Sequence, residues 1–151
     1  MVELKERLRA DLNAAMRARD QVRMRTLRMA LTSITNEEVA GTTARDLTDD
    51  EIVKVLTREA RKRREAAEAF SAAGRDEQAA AERAEGEVLA GYLPAQLSDD
   101  EVAALVAAAI AETGATGLPG MGQVMKTVTP RVAGRADGAR VAAEVRRRLS
   151  G

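Results

Sequence analysis

The side chains of this sequence whose types and spacing suit chemistry are cations. Arg61-Lys62-Arg63-Arg64 lies in a helical stretch, and Lys54, Arg58 and Arg61 precede or join it at i+3/i+4 spacing. A stripe of this kind suits phosphate contact, because the guanidinium presents a planar fork of donors to anionic oxygens. Four consecutive residues advance about 100° each around a helix, so the run cannot share one face. The phosphate-contacting candidates here are Lys54, Arg58, Arg61 and Lys62, with Arg64 beside them. The competing reading is a solvated face on which these cations pair with Glu59, Glu65 and Glu68. A second group, Arg131, Arg135 and Arg140, brackets the tight turn Gly134-Arg135-Ala136-Asp137-Gly138. Arg28 and Lys126 complete the candidate nucleic-acid-binding set. Arg outnumbers Lys 20 to 4, which suits phosphate recognition, although the abundance of Ala points to a GC-rich genome as the larger cause.

Other chemistry is hard to build. With no Cys there is no disulfide, no thiolate nucleophile and no cysteine metal site. With no His, the usual general base near neutral pH and the commonest zinc or iron ligand are both missing. Asp49-Asp50-Glu51 and Asp99-Asp100-Glu101 invite a magnesium reading. Successive helical residues point apart, however, and each triplet follows a hydroxyl residue in the pattern of a capping box. Thr48 and Ser98 are the expected N-caps, with Leu47/Ile52 and Leu97/Val102 as hydrophobic staples. Gly117-Leu118-Pro119-Gly120-Met121-Gly122 reads as a turn and a helix start, with open N–H groups near 120–123 as its functional reading. It is not a phosphate-binding loop of the Gly-Lys-Ser/Thr type. The expectation is therefore no catalytic residue, no metal and no cofactor.

The formal net charge is zero, but it is unevenly distributed. Residues 1–30, 54–64 and 121–151 carry +4, +5 and +5, whereas 31–53 and 65–118 carry −5 and −9. A polyanion could be drawn to one face of a neutral protein in this way. No run approaches the ~20 apolar residues needed to span a membrane. Charge alternates at the N-terminus where a secretory signal needs an apolar run, so the expected location is the cytoplasm.

The elements that must position these residues are helices. Of the apolar residues 31 are Ala, the best helix former, and the two aromatics, Phe70 and Tyr92, are expected to anchor the packing. Leu4, Leu8 and Leu12 make a first stripe extended by Ala15 or Met16. Asp20 caps a second helix with Met24, Leu27, Leu31 and Ile34 at 3-4-3 spacing. A third runs from Thr48 through Ile52, Val55 and Leu56 to Phe70, ending at Gly74. A fourth runs from about Arg75 to Tyr92, with Ala81, Ala84, Val88 and Tyr92 on one face. Leu93-Pro94 then ends the helix. Beyond the linker come helices over Ser98–Thr113, near 120–132, and from Asp137 with Val141, Val145 and Leu149. The fold class is all-α: an N-terminal four-helix bundle (1–92), a Leu-Pro linker (93–97) and a smaller three-helix C-terminal domain (98–151).

The chain also resembles a known family along nearly its whole length. Arg25-Thr26-Leu27-Arg28-Met29, Ala69-Phe70-Ser71-Ala72-Ala73-Gly74-Arg75-Asp76, Tyr92-Leu93-Pro94-Ala95-Gln96-Leu97-Ser98, Met121-Gly122-Gln123-Val124-Met125 and Gly134-Arg135-Ala136-Asp137-Gly138 occur in order. They resemble the GatB/YqeY family, similar to the C-terminal tail domain of the B subunit of the tRNA-dependent glutamyl/aspartyl-tRNA amidotransferase. The resemblance implies a helical bundle with a smaller helical domain, and a tRNA-contacting appendage rather than the glutamine-dependent carbon–nitrogen ligase itself. Gln123 stands where the family usually has Lys; if that lysine meets phosphate, the resemblance implies that this chain binds more weakly or shifts the contact to Lys126. The expected partner is tRNA or another structured RNA. The alternative is a protein-interaction module docking on an amidotransferase or another translation enzyme through Met121, Met125, Val141 and Val145, against the larger expectation that these residues fill the small domain's own core.

Overall fold

A computed structural model describes residues 3–151. Among these the chain is all helical, with no strand. It divides into two compact units, Met1–Leu93 and Pro94–Gly151.

The first unit comprises α1 (Glu3–Ala18), α2 (Gln21–Glu38), α3 (Asp49–Ala72) and α4 (Asp76–Ala90). Asp20 caps α2 by accepting from Arg23 N at 3.2 Å. Thr48 opens α3 with a complete capping box: Glu51 N donates to its Oγ1 at 3.2 Å, and Thr48 N donates to Glu51 Oε1 at 3.1 Å. The staple closes as expected, with Leu47 and Ile52 both buried. The i+3/i+4 stripes of α1 to α3 meet in one core of Leu8, Leu27, Ile34, Leu47, Ile52 and Leu56, joined by Leu89 and Tyr92. Gly74 ends α3 at φ 75, a left-handed value that glycine adopts without strain.

Two expectations about this unit need correction. α4 ends at Ala90 and buries Ala79 and Leu89; of the expected face, Val88 packs against the core and Ala84 is half-buried, whereas Ala81 is exposed. Its alanines spread over more than half of the helix circumference, so its pattern does not mark one narrow face. Tyr92 does anchor the core, although it lies in the turn after α4. Its hydroxyl donates to Asp11 Oδ2 at 2.5 Å, and the Arg7 guanidinium lies 4.5 Å from the ring centroid. Phe70 is only half-buried, near the end of α3.

The second unit holds α5 (Asp99–Thr113), a 3₁₀ turn (Leu118–Gly120), α6 (Met121–Val132) and α7 (Gly138–Ser150). Ser98 and Glu101 form the second capping box, with distances of 3.1 and 3.0 Å. The core gathers Val102, Val106 and Ala109 of α5, Val124, Val128 and Val132 of α6, and Val141, Val145 and Leu149 of α7. Leu97, placed in the linker by the sequence pattern, is buried in this core, and its N–H donates to Arg135 O at 2.7 Å. No single described helix is long and apolar enough to cross a membrane.

Candidate nucleic-acid interface

The α3 helix separates its charges by face. Its inward stripe runs Ile52, Val55, Leu56, Glu59, Arg63 and Ala67, so a carboxylate and a guanidinium occupy positions that periodicity assigns to the core. Glu59 is 5% exposed. It accepts the Ser33 hydroxyl from α2 at 2.6 Å, and Arg63 Nη1 lies 3.3 Å from its Oε2. Arg63 also donates to Glu59 O at 3.2 Å and directs Nη2 to Met29 Sδ at 3.0 Å. Its Nε is buried without a hydrogen-bond partner. Burial pushes the Glu59 carboxyl up. The Ser33 hydroxyl and the cations of Lys62 and Arg63 outweigh that and hold it below the usual carboxylate range.

Glu59 therefore does not belong to a solvated face. It is the one carboxylate in residues 54–64, and it is turned into the bundle. Lys54, Arg58 and Arg61 lie on the opposite side of the helix, Lys54 and Arg58 exposed and Arg61 half-buried. Arg58 meets Glu37 at 3.5 Å with both side chains nearly half exposed, and Arg61 meets Glu65 at 4.0 Å. The Arg58 pair, long and wet, contributes little and is readily exchanged for a phosphate. Lys62 is exposed and reaches back to Glu59 at 3.4 Å. Among the described residues, Lys54 and Arg28 have no carboxylate within ion-pair distance. Arg28 stands on α2 beside an open groove of about 550 Å³ lined by Gln21, Met24, Arg25, Met29 and Thr32.

The C-terminal cations behave differently. Arg131 holds Glu112 at the end of α5 with both Nη atoms. Arg140 grips Asp99 at the start of α5 at 2.7 Å. Arg135 donates through Nε to Ala95 O at 3.1 Å, while its own carbonyl accepts from Leu97. Each of the three thus ties a different point of the unit together, and they do not form one unpartnered patch. Lys126 is exposed on the side of α6 away from Val124 and Val128.

The glycine-rich turn is also committed internally. Gly120 N donates to Gly117 O at 2.9 Å, and Met121 N turns back to Leu118 O. Gly120 is needed for close packing, because a Cβ there would lie 2.7 Å from Ala115 Cβ. Val141 and Val145, offered by the sequence pattern as docking residues, are buried in the unit's own core; Met121 and Met125 are partly buried against it.

Two buried carboxylates beside the C-terminal half of α2 went unseen in the sequence. Besides Glu59, Glu38 is buried, accepting from Lys5 Nζ at 2.8 and 2.9 Å and from Leu47 N at 3.2 Å. The Lys5 hydrogen bond holds its carboxyl below the usual range against the opposing effect of burial. Among the described residues no group of three or more acidic side chains is placed to hold a metal ion.

The family model described as Yqey-like protein matches residues 5–149, and the chain belongs to that family. The family is also found as the GatB C-terminal tail domain. No curated protein matches the chain.

Proposed function

We propose that this member of the Yqey-like family is a non-catalytic accessory protein that binds tRNA, or another structured RNA, through its phosphates. One observation carries the reading. The only carboxylate in the basic stretch of α3 is withdrawn into the bundle, leaving Lys54, Arg58 and Arg61 along the outward face. A row of cations at helical spacing on a rigid rod suits the charge of a folded RNA backbone. The scarcity of aromatics argues against stacking of unpaired bases. Relatedness to the amidotransferase tail domain supports the same direction.

Arg131, Arg135 and Arg140 are left out of this stripe, because each is engaged within its own unit. Arg28 and Lys126 remain as exposed cations. The binding of purified protein to total tRNA across a salt series tests the proposal. Tight binding with a steep decline in log–log form supports it. Absence of binding at low salt returns the α3 stripe to an ordinary solvated face and favours a protein partner instead.

A further inference from the structure

Helices α1 and α3 end in the same hydrogen-bonded motif with different residues at its critical position. At the end of α3, Arg75 N donates to Phe70 O at 2.8 Å and Gly74 N to Ser71 O at 3.1 Å. At the end of α1, Asp20 N donates to Ala15 O at 3.0 Å and Arg19 N to Met16 O at 3.2 Å. Both are Schellman closures, which place the residue after the cap in the left-handed region. Gly74 sits there at φ 75, but the equivalent residue of α1 is Arg19, at φ 56. A side chain with a Cβ is strained in this region, and glycine is not. Codon composition does not explain the choice, since glycine and arginine are both favoured by GC-rich sequences.

Strain alone carries nothing: Ala133 stands at φ 50 with no charge to offer. Arg19 differs in what the strained backbone holds. Its side chain is exposed, as is that of Arg17, and among the described residues neither has a carboxylate within ion-pair distance. The neighbouring acid, Asp20, accepts from Arg23 N as the cap of α2. A cation held at a conformational cost, with no partner inside its own unit, is available to an external anion. We infer that Arg19, flanked by Arg17, is a phosphate-contacting residue of the RNA-binding surface, at the α1–α2 corner. This assignment rests on the RNA-binding reading above and adds to it a contact outside α3.

The variants Arg19→Gly and Arg19→Asn separate contact from folding, because both residues tolerate left-handed backbone. Each should melt no lower than the wild type yet bind tRNA about threefold more weakly, as expected for one exposed charge contact. The slope of log affinity against log salt should flatten by about one unit. Arg19→Lys, which keeps the charge, should retain most of that slope. Variants that bind tRNA as the wild type does, with an unchanged slope, overturn the assignment and leave the α3 reading intact. Gly and Asn variants that both melt well below the wild type also overturn it, because the arginine is then structural. A wild type that does not bind tRNA sinks both readings together.

Discussion

The Ser33 hydroxyl donates to Glu59 Oε1 across the α2–α3 contact at 2.6 Å, and this bond gives α3 its division of charge. Glu59 occupies a core position three and four residues beyond Leu56 and Val55, where a carboxylate is costly unless paired and hydrogen-bonded. Ser33, Lys62 and Arg63 supply that pairing. The acid is thereby removed from the face on which Lys54, Arg58 and Arg61 stand.

Deleting either end of this bond should have unequal effects. Ser33→Ala removes one donor and should cost about 1–3 kcal/mol. Glu59→Ala leaves Arg63 buried without its anion and should cost about 3–5 kcal/mol. Urea unfolding of the two variants checks the order; a Glu59→Ala protein as stable as the wild type would contradict it.

Acid should unfold the protein through its paired carboxylates. Arg45 and the Thr48 N–H hold Glu51 down at about 2, and Arg147 and Arg148 hold Glu144 down at about 2; Glu38 and Glu59 are lowered as well. A depressed folded pKa means that the contribution is complete above the unfolded value of 4.5 and is lost as pH falls toward 2. With no histidine in the chain, melting temperature should be nearly flat between about pH 6 and 8 and decline below about pH 4.5, the surface pairs of Glu51 and Glu144 contributing little and Glu38 and Glu59 more. Calorimetry across this range is the check.

At the alkaline end, Tyr92 is the group to follow. Burial and the hydrogen bond to Asp11 push its phenol up to about 12 from 10.0. Its folded pKa is raised, so its contribution is present below pH 10 and lost as pH climbs through 12. Tyr92→Phe should cost about 1–3 kcal/mol at neutral pH. It should also remove this part of the alkaline loss, as melting curves of variant and wild type between pH 9 and 12 would show.

Much of this fold was legible because its signals are local. Thr48 with Glu51, Ser98 with Glu101, and Asp20 before α2 each act within three residues, and the structure places every one as a cap. The leucine, isoleucine and valine stripes of α1, α2, α3 and α7 likewise mark their buried faces. Three things were not legible. The buried face of α4 was blurred by alanines that span more than half of its circumference. The burial of Glu38 and Glu59 depends on Lys5 and Ser33, which are 33 and 26 residues away in sequence. Charge counts also could not show that Arg131 and Arg140 reach Glu112 and Asp99 across their own unit. One trace was present: Glu59 and Arg63 interrupt the apolar stripe of α3 at i+4 spacing, the pattern of a charged pair facing inward.

The internal pairs of the second unit give their own prediction. Arg131→Gln and Arg140→Gln each break a solvent-exposed or half-exposed pair, so each should cost less than about 1 kcal/mol. Neither should change tRNA affinity by more than about twofold, since Glu112 and Asp99 each hold their arginine through two hydrogen bonds, unlike the single 3.5 Å contact of Arg58 with Glu37. A gel-shift titration of either variant that shows a tenfold loss would return the C-terminal cluster to the interface.

The most direct test of the central claim is tRNA binding by the triple variant Lys54→Gln/Arg58→Gln/Arg61→Gln, measured across a salt series beside the wild type. The outward stripe should account for about three units of the log–log salt slope, while helicity and melting temperature stay close to wild type because these side chains are largely outside the core. A folded triple variant that binds tRNA with wild-type affinity and slope would contradict the account.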